Sequence, residues 1–143
     1  MKKFKGLMTS LSCEWATPQW LFDELDKEFR FDLDVCATAE NAKTSFFLNK
    51  QSDALESEDW YRHCAKSIWM NPPYGRGISE WIKRAYLTSL KGTTVVCLLP
   101  ARPDTRWWHD YVMKAKEIRF IKGRLKFGGA KNSAPFPSCV VVF

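Results

Sequence analysis

Four consecutive residues, Asn71-Pro72-Pro73-Tyr74, are the most specific chemical signal in the sequence, and they follow an apolar run that we predict to be a strand. The side-chain oxygen of Asn71 and the backbone carbonyl of Pro72 can each accept one hydrogen of a planar amino group, and the prolines stiffen the loop. Such acceptors draw the nitrogen toward tetrahedral geometry before it attacks a methyl carbon on a sulfonium. Tyr74 would supply a stacking face. The competing interpretation is a proline-rich turn in which Tyr74 is ordinary packing.

The elements around this motif alternate between strand and helix patterns. We predict a helix that opens at Thr17-Pro18, with Thr17 as its N-cap and proline in its first turn. A second helix follows the motif, and a third is capped by Asp104. Strands are predicted at 31–36, 46–48, 67–70, 94–99, 117–121 and 138–143. This order predicts an α/β fold with a mostly parallel sheet, helices on both faces and a C-terminal β-hairpin, whose ligands sit at the carboxyl ends of the strands.

Composition predicts one globular domain over residues 1–143, with residues 1–13 flexible and no separate target-recognition domain. The 143 residues are 45% hydrophobic and 27% charged, and a chain of this size buries roughly two-thirds of its unfolded surface. The five cysteines are dispersed, with no C-x-x-C pair, so we expect neither a disulfide framework nor a metal site. Without a signal peptide or an apolar run of membrane length, a cytoplasmic protein is expected.

Charge is distributed unevenly along the chain. The net charge of +6 comes from the last third, because residues 1–99 hold 13 basic and 13 acidic residues and residues 100–143 hold 9 and 3. Residues 14–59 instead carry 12 acids against four bases. A polyanion would therefore meet the last third, while the acidic segment would suit a cationic small molecule. Solvated surfaces of opposite sign explain the same distribution.

From Trp15 onward the sequence resembles the phage and prophage Dam-type DNA N6-adenine methyltransferases. The resemblance rests on five ordered blocks. They are Trp15-Ala-Thr-Pro, Asp32-Leu-Asp-Val-Cys-Ala with Glu40-Asn-Ala-Lys, Asn71-Pro-Pro-Tyr-Gly, Leu98-Leu-Pro-Ala-Arg with Asp104-Thr and Trp108-His-Asp, and Gly123-Arg-Leu-Lys-Phe with Ala134-Pro-Phe-Pro-Ser. The resemblance implies a Rossmann-like fold, S-adenosyl-L-methionine as methyl donor, a flipped adenine in double-stranded DNA as acceptor, and a bacterial host cell carrying a phage or prophage.

The resemblance also implies roles for individual residues. Thr17 and Pro18, after Trp15, resemble an element that touches the methionine end of the donor. Asp34 stands where an acid accepts from the donor's amino group. Cys36 and Ala37 replace the usual glycine-rich turn, Glu40 is a candidate for the ribose hydroxyls, and Asp53 resembles the acid that reads the donor's adenine. The motif that begins at Asn71 contributes to both the catalytic and the donor site.

Basic residues near the predicted crevice are candidates for contacts with DNA. Residues 118–131 contain five bases and no acid, and three glycines lie among them. A basic hairpin beside the site could grip phosphates, which supply most affinity and orientation. His109 receives no catalytic role, because the amine loses its proton only after methyl transfer. The predicted DNA-binding residues are Arg76, Arg102, Arg119, Lys122, Arg124, Lys126 and Lys131.

Three alternatives stay open at this point. The same motif chemistry would serve an RNA methyltransferase or a protein-glutamine methyltransferase, since both act on planar amino nitrogens. A DNA-binding module that has lost catalysis is a third possibility, although the motif at Asn71 is intact. A homo-oligomer is possible but nothing in the sequence indicates one.

Overall fold

The computed structural model describes residues 15–37, 41–48, 60 and 65–143. The helices that lie wholly within these ranges are α1 (Gln19–Phe29), α2 (Ile78–Ser89) and α3 (Arg106–Asp110), and a 3₁₀ turn covers Val112–Lys114. Its strands are β1 (Leu33–Asp34), β2 (Ser67–Met70), β3 (Thr94–Pro100), β4 (Glu117–Phe120) and β5 (Ser138–Val142). The predicted N-terminal segment 1–13, Glu40 and Asp53 lie outside the described residues.

The strands form one five-stranded sheet in the order β1-β2-β3-β5-β4. β1 pairs with β2 and β2 with β3 in parallel, whereas β5 runs antiparallel to both β3 and β4. Four strands therefore run one way and β5 runs the other. Asp34, Met70 and Pro100, the last residues of β1, β2 and β3, lie at the same end of the sheet, which we call the carboxyl end.

Helices cover both faces of this sheet. Trp69 of β2 contacts Phe22 of α1 edge-to-face, with ring centroids 5.6 Å apart, so α1 covers the face to which Trp69 points. The register aligns Trp69 with Val96 and Val96 with Val142. Because successive side chains alternate between faces, Phe143 points the other way, and its ring lies 6.1 Å from that of Tyr86 in α2. α2 therefore covers the opposite face.

Sequence patterns located most of these elements, and burial explains why. The predicted strand 67–70 is confirmed, and β3 is buried along nearly its whole length, as expected for a strand covered on both faces. Helix α2 buries Ile78, Ile82 and Ala85 as its spacing predicts, and α1 buries Leu21, Phe22 and Leu25. In the described part of the chain no helix is both long and apolar enough to cross a membrane.

Both predicted helix caps were wrong. Helix α1 begins after Pro18 without a side-chain cap, because the Thr17 hydroxyl accepts a hydrogen bond from Asn71 instead. Helix α3 is capped by Thr105, whose hydroxyl accepts from the backbone N–H of Trp108 at 3.3 Å, and not by the neighbouring Asp104. A threonine in this position stabilises a helix by about 1 kcal/mol.

Two predicted strands near the start of the chain are shorter than expected. The Asp34 carboxylate accepts from the backbone N–H of Cys36, and this local bond turns the chain, so β1 ends at Asp34. The segment 46–48 contributes a single bridge, in which Phe47 pairs with Asp34, and not a strand. Side-chain hydrogen bonding by one aspartate therefore replaces part of the sheet ladder.

Candidate active site

The side-chain amide of Asn71 lies directly beyond β2 and has a fixed orientation. Its Nδ2 donates to the backbone carbonyl of Trp15 at 2.6 Å and to the hydroxyl of Thr17 at 3.0 Å. A carbonyl can only accept, so the nitrogen of the amide must face Trp15. The other end, Oδ1, is buried and has no hydrogen-bond partner among the residues that the structure describes. A buried, unpaired oxygen is costly to maintain, and here it presents an unused acceptor.

Asp34 provides a second buried acceptor, at the end of β1. The residue is only 2% exposed, and its two oxygens accept from the backbone N–H groups of Cys36 and Lys43 at 3.2 and 3.1 Å. None of the ion pairs among the described residues includes it. Burial raises the pKa of the Asp34 carboxyl to about 6, opposed in part by these two backbone bonds. A desolvated carboxylate of this kind favours a cationic ligand.

Two cavities lie at the carboxyl end of the sheet and share the side chain of Trp15. The smaller, about 60 Å³, holds the polar groups just described and is lined by Trp15, Ala16, Thr17, Asp34, Cys36, Asn41, Lys43, Trp69 and Asn71. The larger, about 440 Å³, is mostly apolar and is lined by Trp15, Tyr74, Gly75, Ile78, Pro100, Arg102, Thr105, Trp107, Pro135 and Phe136. The loop 71–74 contributes to both cavities and therefore connects them.

Four aromatic rings pack together around the wall of the larger cavity. Trp15 contacts Phe127 and Phe136 edge-on, with centroids 5.2 Å away in each case, and Tyr74 contacts the same two rings at 6.3 and 5.6 Å. The Tyr74 hydroxyl donates to the backbone carbonyl of Leu98 at 3.0 Å, and the ring is 8% exposed. Burial raises the pKa of Tyr74 well above its usual value. Tyr74 is therefore a fixed wall residue with only a small exposed surface.

The connection between β4 and β5, residues 121–137, which we call the basic loop, is anchored to this aromatic cluster. Leu125 and Phe127 are buried, and alternate with exposed Arg124 and Lys126. The backbone N–H of Gly128 donates to the carbonyl of Ala16 at 2.9 Å, beside the Asn71 site. A Cβ at Gly128 would lie 3.4 Å from the Cβ of Ala16, which is ordinary van der Waals contact, so the two segments lie directly against each other. The alternation turns the cations outward next to the site.

Six of the seven predicted DNA-binding residues are exposed, and they lie in two places, on the basic loop and near Tyr74 and the larger cavity. Lys122, Arg124, Lys126 and Lys131 are exposed on the basic loop, and none forms an ion pair with a described residue. Arg102 is exposed at the larger cavity, with its guanidinium 5.8 Å from the Phe136 ring centre, and Arg76 is exposed just beyond Tyr74.

Arg119 stands apart from these cations. It binds the carboxylates of Glu28 and Glu117 and lies 5.3 Å from the ring centre of Phe29. Hydrogen bonds to the two glutamates raise the pKa of Arg119. With its charge already compensated, Arg119 is not included in the DNA surface proposed below.

Several other candidates have ordinary structural roles or lie beside the cavities. The Nε2 atom of His109 forms a hydrogen bond with the carbonyl of Pro103 at 2.7 Å, and this bond stabilises the local turn. Pro18 and Ala37 are buried next to residues of the smaller cavity but are not among its lining residues. No group of His, Cys, Asp or Glu with metal-binding geometry occurs among the residues that the structure describes.

Sequence reasoning missed four residues of the smaller cavity: Ala16, Asn41, Lys43 and Trp69. Ala16 lies within the Trp15-Ala-Thr-Pro block, and Asn41 and Lys43 lie within the block that begins at Glu40, so the motifs contained a signal for three of them. Trp69 lies in the predicted strand 67–70, and the strand pattern gave no indication that it borders a cavity. The backbone N–H of Lys43 reaches Asp34 only because residues 41–43 turn back toward β1.

Comparisons with known proteins identify a family model and two phage proteins that are similar to this chain. The family model described as DNA N-6-adenine-methyltransferase (Dam) matches residues 7–139. A protein of Haemophilus phage HP1 (strain HP1c1) named DNA N-6-adenine-methyltransferase is 36% identical over 109 residues, which cover 75% of this chain and 61% of the relative. A protein of the same name from Escherichia phage T1 is 28% identical over 127 residues, which cover 87% of this chain and 52% of the relative.

The chain thus spans between half and two-thirds of the length of these curated relatives. The family model nevertheless matches nearly the whole chain, including Asp34, Asn71-Pro72-Pro73-Tyr74 and all of the basic loop. This chain belongs to the DNA N-6-adenine-methyltransferase (Dam) family.

Proposed function

We propose that this protein transfers a methyl group from S-adenosyl-L-methionine to the exocyclic amino nitrogen of an adenine flipped out of double-stranded DNA. The observation that carries the proposal is the Oδ1 atom of Asn71, which is buried, has no hydrogen-bond partner among the described residues and belongs to a residue that lines the smaller cavity. The names of the phage relatives and the family model support the same chemistry.

Asn71 and Pro72 would act on the acceptor amine. Oδ1 of Asn71 is free to accept one amino hydrogen, and the carbonyl of Pro72 accepts no hydrogen bond from a described residue, which leaves it for the other. Because the acceptors are held in place before the amine arrives, no reorganisation is needed as positive charge develops on nitrogen. The proton leaves after methyl transfer, to these acceptors or to water.

The smaller cavity fits the cationic amino end of the donor. Asp34 supplies a desolvated carboxylate for an ammonium group, and Trp15, Thr17, Cys36 and Asn71 are among the other lining residues. Its volume of about 60 Å³ is about twice the space of one water molecule, so the described walls enclose one end of such a ligand. When bound, S-adenosyl-L-methionine supplies the methyl group on a sulfonium. Pro18, Ala37, Glu40 and Asp53 remain candidates for the rest of the donor site.

The larger cavity has the size and lining expected for a flipped base. Its volume of about 440 Å³ falls in the range of small-molecule sites, and its walls are largely apolar, with Tyr74, Trp15 and Phe136 offering aromatic surface. Flipping a base costs a few kcal/mol, and contact with aromatic side chains offsets part of this cost. Pro73 would contribute by stiffening the loop between the two acceptors and Tyr74.

The exposed cations of the basic loop would bind phosphates of the duplex around the flipped base. Lys122, Arg124, Lys126 and Lys131 project from a loop that packs on Trp15 and Tyr74 through Phe127, so a duplex bound there lies over the larger cavity. Arg76 and Arg102 would extend this surface. These assignments are compatible with a Rossmann-like methyltransferase fold. We propose that the protein acts in the cytoplasm of a bacterial cell.

A substrate comparison tests the proposed function against its alternatives. The purified protein is incubated with a donor labelled in its methyl group and, in separate reactions, with unmethylated plasmid DNA, RNA of the same sequence, or a glutamine-containing protein mixture. We expect label only in DNA, recovered as N6-methyldeoxyadenosine. Label in RNA or protein would favour the corresponding alternative, and DNA binding without label would favour a module without catalysis.

A further inference from the structure

The hydroxyl of Thr17 holds the amide of Asn71, and we infer that Thr17 is a positioning residue that decides which end of this amide faces the reacting amine. The inference rests on the proposed function, and it differs from a role for Thr17 as a helix cap or as a contact to the donor. The Thr17 oxygen and Asn71 Nδ2 are 3.0 Å apart, and Thr17 is 5% exposed.

The two ends of an asparagine amide are nearly equal in size but opposite in chemistry. With Oδ1 toward the amine, Asn71 accepts a hydrogen; after a flip, its NH₂ group would oppose the NH₂ group of the substrate and could not polarise it. Orientation therefore determines whether the motif works at all. Shape alone cannot fix this orientation, so hydrogen bonds must.

Two acceptors on the segment before α1 supply these bonds. The carbonyl of Trp15 takes one hydrogen of Nδ2 and would repel Oδ1 in the flipped state. The Thr17 hydroxyl takes the second hydrogen, so neither N–H of Asn71 is left to turn toward the reacting amine. The arrangement uses both donors and leaves Oδ1 alone without a partner.

Thr17 is itself held firmly enough to act in this way. Pro18 follows it and limits the backbone, and the carbonyl of Pro18 accepts from Leu21 and Phe22 at 3.1 and 3.2 Å at the start of α1. On the other side, the carbonyl of Ala16 accepts from Gly128 of the basic loop. The hydroxyl is thus fixed between a helix and a loop, and α1 makes no side-chain cap bond that would compete for it.

Three variants of the full chain test this role. Thr17→Val keeps the side-chain shape but removes the hydroxyl, and we expect its kcat for DNA methylation to fall about tenfold, in line with one lost hydrogen bond. Affinity for duplex DNA should be unchanged, and the affinity for S-adenosylhomocysteine, whose amino end would lie beside Thr17, should fall by much less than kcat does. Thr17→Ser should restore most of the rate. Thr93→Val is the matched control, because it removes another buried threonine hydroxyl bond, to the carbonyl of Ala65, at the opposite end of β3.

A spectroscopic measurement tests the contact without any need for turnover. In ¹⁵N-labelled protein the side-chain amide of Asn71, assigned by its loss in Asn71→Ala, should exchange slowly with solvent in the wild type and in Thr17→Ser but faster in Thr17→Val. Equal exchange in wild type and Thr17→Val would overturn the positioning role. So would a wild-type kcat in Thr17→Val, or a weakened affinity for S-adenosylhomocysteine that accounts for the lost rate.

Failure of the proposed function itself would look different. In that case the wild-type protein would not methylate DNA, whatever the exchange rates show, and the inference about catalysis would fall with it. If the wild type is active and only the Thr17→Val result is negative, the proposed function stands and the positioning role alone is wrong.

Discussion

The hydrogen-bond partners of Asn71 determine which end of its side-chain amide is available to a ligand. Asparagine has a donor end and an acceptor end, and here the donor end is bound to Trp15 and Thr17 while Oδ1 stays buried and unpaired. An unsatisfied buried acceptor costs about 1–3 kcal/mol in the free protein. A ligand that donates a hydrogen at this point would remove the cost, which favours an amino group as the ligand.

Asp34 supplies the second chemical feature at the residue scale, a carboxyl whose pKa burial raises to about 6 from an ordinary value of 3.8. Between these two pH values the folded protein holds a proton that the unfolded chain has lost. Asp34 therefore favours the folded state most at low pH, and this contribution is lost as pH rises from about 4 to about 6. Binding of a cation has the opposite dependence, because it requires the ionised form.

The affinity for S-adenosylhomocysteine, which keeps the ammonium group, should therefore depend on pH. We expect it to weaken about tenfold per pH unit as pH falls below 6, since the carboxyl must lose its proton to bind an ammonium. Asp34→Asn should bind more weakly at pH 8, with little dependence on pH, while its DNA affinity is maintained. Calorimetric titration between pH 5 and 8 measures both.

Asp32→Asn is the control, because Asp32 is exposed and accepts only from Lys66 and Ser67. It should retain the wild-type pH profile. An Asp34→Asn variant that binds S-adenosylhomocysteine as the wild type does at every pH would remove Asp34 from the donor site.

At the scale of elements, the basic loop both packs against the candidate site and exposes positively charged side chains. Its alternating pattern buries Leu125 and Phe127 against the site and exposes Arg124 and Lys126. Gly123 and Gly129 adopt positive φ angles of 76° and 77°, a region that L side chains rarely enter. The loop thus carries its cations to the carboxyl end of the sheet on an anchored backbone.

Neutralising Arg124 and Lys126 together, as Arg124→Gln and Lys126→Gln, should weaken binding to duplex DNA roughly equally for all sequences. Each lost phosphate contact should reduce the slope of log affinity against log salt by about 0.9. Affinity for S-adenosylhomocysteine should not change. Fluorescence anisotropy at several salt concentrations measures the slope.

Lys114→Gln with Lys116→Gln is the matched control, since it removes the same charge from the far end of the sheet. There the backbone N–H of Lys116 donates to the carbonyl of Val142 in β5, a bond that the substitutions leave in place. If both double variants lose affinity equally, net charge and not the loop determines DNA binding. A wild-type slope in the Arg124 and Lys126 variant would exclude these residues from the phosphate surface.

The anchor of the basic loop should matter for stability. Phe127 is 2% exposed and contacts the rings of Trp15, Tyr74 and Phe136. Phe127→Ala should lower the free energy of unfolding by about 3–5 kcal/mol. Phe46→Ala, at a ring that is 73% exposed, should change it by less than about 0.5 kcal/mol. Urea denaturation distinguishes the two, and equal stability of both variants would contradict the anchoring role.

Periodicity was sufficient to predict the elements whose burial is simple. β2, β3 and α2 have apolar patterns that correspond directly to buried faces; the two strands were located to within one residue, and α2 follows the motif as predicted. Prediction failed where a side chain bonds to a partner that is distant in the sequence. Thr17 was assigned as a cap but binds Asn71, 54 positions away in the chain, and no local pattern encodes such a partner. The free Oδ1 of Asn71 likewise becomes visible only once its donor end is accounted for.

At the scale of the whole molecule, the acidic and the basic segment of the sequence contribute to two different regions at the carboxyl end of the sheet. Asp34, in the acidic segment 14–59, borders the smaller cavity, and the cations of residues 122–131 lie on the basic loop, which packs through Phe127 against Trp15 and Tyr74 of the larger one. Asn71 lies where the regions meet. Under the proposed function, this separation would let a cationic donor and a polyanionic acceptor approach from different sides without competing for the same charges.

The most direct test of the account measures N6-methyldeoxyadenosine in DNA. Unmethylated plasmid is incubated with S-adenosyl-L-methionine and either the wild-type protein or Asn71→Ala, then digested to nucleosides and quantified by mass spectrometry, while titration with S-adenosylhomocysteine checks the donor site of each. We predict N6-methyldeoxyadenosine with the wild type and a rate at least about 100-fold lower with Asn71→Ala, whose donor binding stays near normal. Near-normal methylation of adenine by Asn71→Ala would contradict the account.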